Sequence, residues 1–219
     1  METAAGASIS KGWRSSVKNY YIADLHFGHE RILGFDNRPF STIGEMEDEL
    51  IRRWNSVVEP GDTVYILGDF CWKVETDWIR ILDRLKGNKV LIRGNHDLNK
   101  FSGKLKKEFQ DIRDIKTIMD GKYSVVMCHY PLLFYPHDHC DNSIMLCGHV
   151  HLTTENKDLE RWRDEIRSGR VKCRGNFGNI INVGCMLPYM DYTPRTLEEI
   201  LKSLPPRTAG RSGEVTHYD

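Results

Sequence analysis

Seven side chains able to bind a metal ion recur along this 219-residue chain, each just after a short apolar run. Asp24 and His26 follow Tyr20-Tyr21-Ile22, and Asp69 follows Val64-Tyr65-Ile66-Leu67. Asn95 follows Val90-Leu91-Ile92, His129 follows Val125-Val126-Met127-Cys128, and His149 and His151 follow Ile144-Met145-Leu146-Cys147. A lone Asp after a strand is usually a turn or cap residue, and a lone His is usually structural. Seven such residues at successive strand ends make coincidence a poor account. The donors are oxygen and imidazole nitrogen, with no thiolate. That set suits Mn, Fe, Zn, Co or Ni over calcium and does not select among them. Gly94-Asn95-His96-Asp97 sets a transferable proton, on His96, between a neutral oxygen donor and a carboxylate.

Two divalent ions would bring four positive charges. Asp24 and Asp69 remove two, and a bridging hydroxide removes a third. The imidazoles and Asn95 remove none. A centre left positive suits an anionic phosphate. Two metals about 3.5–4 Å apart can bind phosphate oxygens, lower the pKa of water and support in-line displacement.

The elements that must position these residues are readable from periodicity. Asn19 to Ala23, Thr63 to Leu67, Lys89 to Ile92, Tyr123 to Cys128, Ser143 to Cys147 and Asn179 to Val183 are predicted strands. Sheets present functional groups beyond strand carboxyl ends, so the seven residues can converge. Ile112 to Met119 is predicted as one further strand, joined to Tyr123–Cys128 by a hairpin turn at Asp120-Gly121. A helix over Glu45 to Trp54, capped by Thr42 or Ser41, has Met46, Leu50, Ile51 and Trp54 on one face. Others are predicted over Thr76 to Leu85 and Leu197 to Leu204, with a short exposed helix inside the charged stretch Glu155 to Gly175.

The chain is long enough for one substantial core. Residues 17–205 are expected to form one catalytic domain, with flexible tails at 1–16 and 206–219. Hydrophobic residues make up 40% and charged residues 28%, as in ordinary globular proteins. Lys+Arg and Asp+Glu are each 31, which argues against a broad polyanion-binding surface. No apolar run approaches the roughly 18 residues of a membrane span, and no secretory signal is evident, so a cytoplasmic protein is expected. The six cysteines, Cys71, Cys128, Cys140, Cys147, Cys173 and Cys185, include no close pair of zinc-knuckle spacing. Inert, mostly buried thiols are expected.

The blocks Asp24-x-His26, Gly68-Asp69, Gly94-Asn95-His96-Asp97, His129 and Gly148-His149-x-His151 resemble, in order, those of the calcineurin-like metallophosphoesterase superfamily. The extended first block through His29, with Arg38-Pro39-Phe40, resembles a group of small single-domain bacterial and phage members. The resemblance implies an α/β (α+β) fold: a four-layer sandwich of two mixed β-sheets flanked by helices, with the site at one edge. It implies that Asp24, His26 and His151 hold one divalent ion, that Asn95, His129 and His149 hold another, and that Asp69 bridges them. His96 would protonate the leaving oxygen after attack by a metal-bridging hydroxide, and Asp97 would orient His96 by a hydrogen bond. The implied activity is hydrolysis of a phosphodiester, slightly favoured, or a phosphomonoester. The substrate would be a phosphorylated small molecule or nucleotide.

Other residues carry weaker signals. His29 could contact substrate or brace the first loop. Arg93 could bind phosphate or pair with an acid, and Arg38 likewise. The loop Tyr135 to His139 could cover the pocket, and a third metal site there is an outside reading. Lys104, Lys106 and Lys107, with Arg161, Arg163, Arg167, Arg170, Lys172 and Arg174, could serve a nucleic acid. Interleaved acids favour a solvated face for the second group. Rival classes are a non-catalytic metal-binding scaffold on the same fold, which should have lost ligands or His96, and a zinc module, which should be rich in cysteine. A phosphoprotein phosphatase is disfavoured, because Gly68-Asp69-Phe70-Cys71-Trp72-Lys73 departs from that group's pattern.

Overall fold

The computed structural model describes residues 17–171 and 177–205. The expected tails 1–16 and 206–219, with Lys172, Cys173 and Arg174, lie outside the described residues. In chain order the elements are β1 (Asn19–Ile22), α1 (Ile32–Phe35), α2 (Ile43–Val57), β2 (Thr63–Ile66), α3 (Glu75–Leu82), β3 (Asn88–Ile92), α4 (Gly103–Lys106) and β4 (Asp111–Arg113). They continue with β5 (Ile115–Asp120), β6 (Tyr123–Cys128), β7 (Ser143–Cys147), α5 (Thr154–Arg167), a single 3-10 turn (Phe177–Asn179), β8 (Ile180–Asn182), β9 (Arg195–Thr196) and α6 (Leu197–Ser203).

Two mixed sheets result. The first has the order β4-β3-β2-β1-β9, parallel except for β9, and the second has the order β5-β6-β7-β8, parallel except for β5. Alternation along β1 shows how they stack. The Tyr20 hydroxyl donates to Val57 O of α2 at 2.8 Å, and the Tyr21 hydroxyl donates to Asp120 Oδ2 of β5 at 2.7 Å. One face of the first sheet therefore meets a helix, and the other meets the second sheet. Val125, Met127, Ile144, Leu146 and Ile181 of the second sheet share a core with the first sheet. Their neighbours Val126, Met145 and Ile180 pack the opposite way, with Leu159 of α5. The order is helix, sheet, sheet, helix, as the resemblance implied.

Helix α2 forms as read. The Thr42 side chain accepts from Glu45 N, and Met46, Leu50, Ile51 and Trp54 are buried along one face. Two expectations change. Ile112–Met119 is not one strand: the chain breaks at Asp114, so β4 pairs with β3 while β5 opens the second sheet. Arg93 ties that exposed corner through an ion pair to Asp114 at 2.6 Å. Helix α5 is not simply exposed, since Asn156, Leu159 and Arg163 are buried.

The parallel register aligns the strand ends. Ile22 pairs with Ile66, and Ile66 with Leu91; Met127 pairs with Leu146. The sheets join at this edge, where Ala23 bridges Gly184, Ala23 N donates to Val183 O at 2.9 Å and Cys185 N donates to Ala23 O at 2.9 Å. Among the described residues no helix is long and apolar enough to cross a membrane.

Candidate metal centre

Just past the strand ends the backbone reverses sharply. Asp24 (φ 57°), His26 (φ 53°), Asp69 (φ 52°), His149 (φ 71°) and His151 (φ 43°) all lie in the left-handed region. Such conformations cost about 1–3 kcal/mol each outside glycine, and they gather where function requires them. Glycines let the turns close on one another. A Cβ on Gly94 would stand 2.2 Å from Asp69 Oδ1, and one on Gly148 would stand 2.9 Å from Asp24 Oδ2.

Asp24, His26, Asp69 and His151, all buried, bring donor atoms within 4.8 Å of one another. His26 Nε2 lies 3.2 Å from His151 Nε2 and 3.5 Å from Asp69 Oδ2. The Nδ1–H of His151 donates to Asp36 Oδ1 at 2.9 Å. In the neutral ring its Nε2 therefore turns a lone pair toward His26. A second group adjoins the first. His129 Nδ1–H donates to Leu67 O at 2.8 Å, which leaves a lone pair on Nε2 in the neutral ring. That nitrogen lies 2.9 Å from Asn95 Oδ1, also an acceptor, and His149 Nδ1 approaches the same oxygen at 2.9 Å. Lone pairs facing one another at such distances repel unless a proton or a cation lies between them.

The electrostatics agree. Burial raises the Asp24 carboxyl above its usual range, and the Asp69 charge adds to the effect. Burial pushes the His26 imidazole far down, helped by His151. His149 is lowered too, by burial and then by His129. Asp24 and Asp69 are buried beside His26, which resists protonation, and a divalent cation would supply positive charge there. The donor set therefore fits a metal ion.

A family model described as calcineurin-like phosphoesterase matches residues 20–171. The chain belongs to the calcineurin-like phosphoesterases. It is 47% identical over 85 residues to an uncharacterised protein of Methanocaldococcus jannaschii, a match covering 38% of this chain and 48% of that protein. The chain thus spans about half the length of that curated relative. It is 28% identical over 162 residues to the gene 66 protein of Mycobacterium phage L5, covering 60% of this chain and 76% of that protein. Among solved structures it resembles a protein of unknown function from Aquifex aeolicus, with a TM-score of 0.60 and 28% identity over 85% of this chain and 99% of that one.

Around this site the remaining expected residues fall out unevenly. His96 is exposed, and its backbone N–H donates to Asp69 Oδ1 at 2.9 Å. Asp97 does not take the place expected of it. Its buried carboxylate accepts from Phe70 N at 2.8 Å, Gly94 N at 2.7 Å and Asp69 N at 3.2 Å. Among the described residues no hydrogen bond joins it to the His96 ring. Burial raises it to about 6 against the pull of the Gly94 and Phe70 amides. His29 lies in the first loop, its ring stacked on Trp72. Arg93 pairs with Asp114 rather than reaching the donors. His137 and His139 lie outside the donor group, with ring centroids 6.4 Å apart. On α5, Arg161 and Arg163 pair with Asp158 and Asp164.

Arg38 is no phosphate ligand, because it is buried behind the site. Its guanidinium donates to Asp24 O at 2.8 Å, to Leu25 O at 3.0 Å and to Asp36 Oδ2 at 2.9 Å. Asp36 in turn holds His151. Burial disfavours charge on both Asp36 and His151, yet their hydrogen bond prevails: Asp36 is lowered and His151 raised. Sequence reading passed over Asp36, although an acid two positions from an arginine was a usable sign. It also passed over Trp72, for which no local pattern exists.

Proposed function

We propose that this chain hydrolyses a phosphoester at a centre of two divalent transition-metal ions, a phosphodiester being the favoured class. The supporting observation is Asp69 Oδ2, which lies 3.5 Å from His26 Nε2 and 3.6 Å from His129 Nε2. One carboxylate oxygen thus stands between two groups of donors. In this reading Asp24, His26 and His151 hold one ion, Asn95, His129 and His149 hold the other, and Asp69 serves both. When bound, the ions supply Lewis-acid charge to the phosphate oxygens and make water acidic enough to attack near neutral pH.

The chain's own residues do the rest. His96 is exposed and anchored to Asp69 through its backbone N–H. From there it gives a proton to the leaving oxygen. Asp97 acts as a positioning residue through the backbone. By gathering the amides of Asp69, Phe70 and Gly94 it locks the turn that carries Asn95 and His96 to the turn that carries Asp69. The donor set retains every expected member and His96, which speaks against a non-catalytic scaffold.

Elemental analysis should find close to two metal ions per chain, and the loaded protein should hydrolyse bis-p-nitrophenyl phosphate. His96→Ala should keep its metal and lose about 10²–10⁴-fold in turnover of alkyl esters, whose leaving oxygen needs the proton. Asp69→Asn should lose metal as well. Bound metal without hydrolysis in Mn, Fe, Zn, Co or Ni would point to the scaffold. Turnover of alkyl esters by His96→Ala equal to the parent's would remove the general acid.

A further inference from the structure

Three exposed aromatic rings stand against the donor histidines and His96, each from a different segment. Trp72, on the turn after β2, is 47% exposed. Its indole stacks on the His29 ring with centroids 4.2 Å apart and planes 9° apart, and it lies 4.5 Å from the His96 ring. Phe35, at the end of α1, is 66% exposed and meets His151 edge-on at 5.6 Å. Tyr130, just after β6, is 45% exposed and lies 4.5 Å from His149. Folding gains little from aromatic surface left in water, and its gathering around a polar centre marks a binding site.

We infer that these rings hold the organic part of the substrate, and that this part is the nucleobase of a small nucleoside phosphate. The inference rests on the phosphoesterase reading above. With the phosphate at the metal centre, the group attached to it has these rings as its nearest apolar neighbours. Aromatic faces reward a planar π-system whatever its hydrogen-bonding pattern. Trp72 is the platform best placed, because it touches the residue that protonates the leaving oxygen. Its own orientation is fixed by the His29 ring stacked against it. A long strand is the poorer occupant: acids and bases balance at 31 each, and Arg161 and Arg163 are already paired with acids.

The test compares AMP with ribose 5-phosphate on the Mn²⁺-loaded protein by titration calorimetry. The two ligands share the phosphate and its alcohol and differ in the base. AMP should bind about tenfold tighter. Trp72→Ala should bring that ratio close to one, and Trp72→Phe should restore most of it. Equal binding of the two ligands would overturn the inference. So would a Trp72→Ala variant that weakens both alike and keeps the ratio, since that is what a mere prop for His96 would do. A 5′-phosphorylated deoxyhexanucleotide should bind no tighter than AMP, and affinity rising with strand length would refute the small-nucleotide assignment. Hydrolysis of bis-p-nitrophenyl phosphate without an AMP preference sinks this inference alone. Neither hydrolysis nor binding of either ligand sinks the phosphoesterase reading with it.

Discussion

Asp36 offers a way to separate holding His151, a proposed metal ligand, from holding the fold. Its carboxylate receives His151 Nδ1–H at 2.9 Å and pairs with Arg38 at 2.9 Å, and both members of that ion pair are buried, with side chains 1% and 0% exposed. Asp36→Ala leaves the guanidinium unpaired in the interior. Breaking a buried pair costs about 3–5 kcal/mol. Arg38 keeps its bonds to the Asp24 and Leu25 carbonyls, so the lower figure applies. At about 2–4 °C per kcal/mol for a domain of this size, the metal-free melting temperature should fall by about 6–12 °C. Separately, loss of the partner that orients a metal-binding histidine costs about 10–100-fold in metal affinity.

The double variant Asp36→Leu with Arg38→Met parts the two effects. Replacing a buried ion pair by apolar side chains is often neutral for stability. The double variant should therefore melt nearer the parent than Asp36→Ala does when metal-free, short of it by the Asp24 and Leu25 carbonyls left without a donor, yet still bind Mn²⁺ or Zn²⁺ at least tenfold more weakly in a competitive chelator titration. Metal affinity recovering together with the melting temperature would show that Asp36 serves the fold alone. Affinity of Asp36→Ala within twofold of the parent would refute the reasoning altogether.

Three other perturbations probe neighbouring claims. Gly94→Ala places a Cβ 2.2 Å from Asp69 Oδ1 and 2.5 Å from Asp69 N, so it should strip metal from the purified protein, as elemental analysis will read, while far-ultraviolet circular dichroism stays near the parent's. Trp78→Ala empties a fully buried site among Phe70, Phe101 and Phe109 and should cost about 3–5 kcal/mol in urea unfolding, with metal content per folded molecule unchanged. Burial pushes the Cys71 thiol up to about 12, so at pH 8 only about one thiol in ten thousand is ionised. Mass spectrometry after iodoacetamide treatment of the native protein should find Cys71 unmodified, and rapid alkylation would show that its segment opens.

What sequence reading reaches here follows from how the donors are carried. A parallel strand buried on both faces reads as an apolar run, and the first polar residue beyond it must sit at the sheet edge, whatever the strand order. That is why Asp24, Asp69, His129 and His149 could be placed before any contact was known; after β3 the first polar residue is Arg93, and Asn95 is reached only through the Gly94-Asn95-His96-Asp97 block. Strand boundaries fail where the apolar pattern continues through a change of sheet. Ile112, Ile115 and Ile118 recur across Arg113-Asp114 with no glycine or proline to mark a break, and only the pairing of β4 with β3 and of β5 with β6 divides the stretch at Asp114.

The site residues that escaped notice act across distances no local pattern spans. Asp36 meets His151 over 115 positions, through a short irregular segment after α1. Trp72 gains its meaning only because the turn after β2 lies against the first loop and the turn after β3, bringing its ring to both His29 and His96. Asp97 shows the converse error. Its place beside His96 suggested a contact between neighbours, yet a residue at the tight end of a strand turns its side chain back into the fold. There the amides of Asp69 and Phe70, 28 and 27 positions away, need an acceptor that the sheet no longer supplies. Buried backbone donors must be satisfied, and that need outranks the company of an adjacent side chain. For a strand-end motif, the first question to ask of a carboxylate is therefore which backbone amides it has to satisfy.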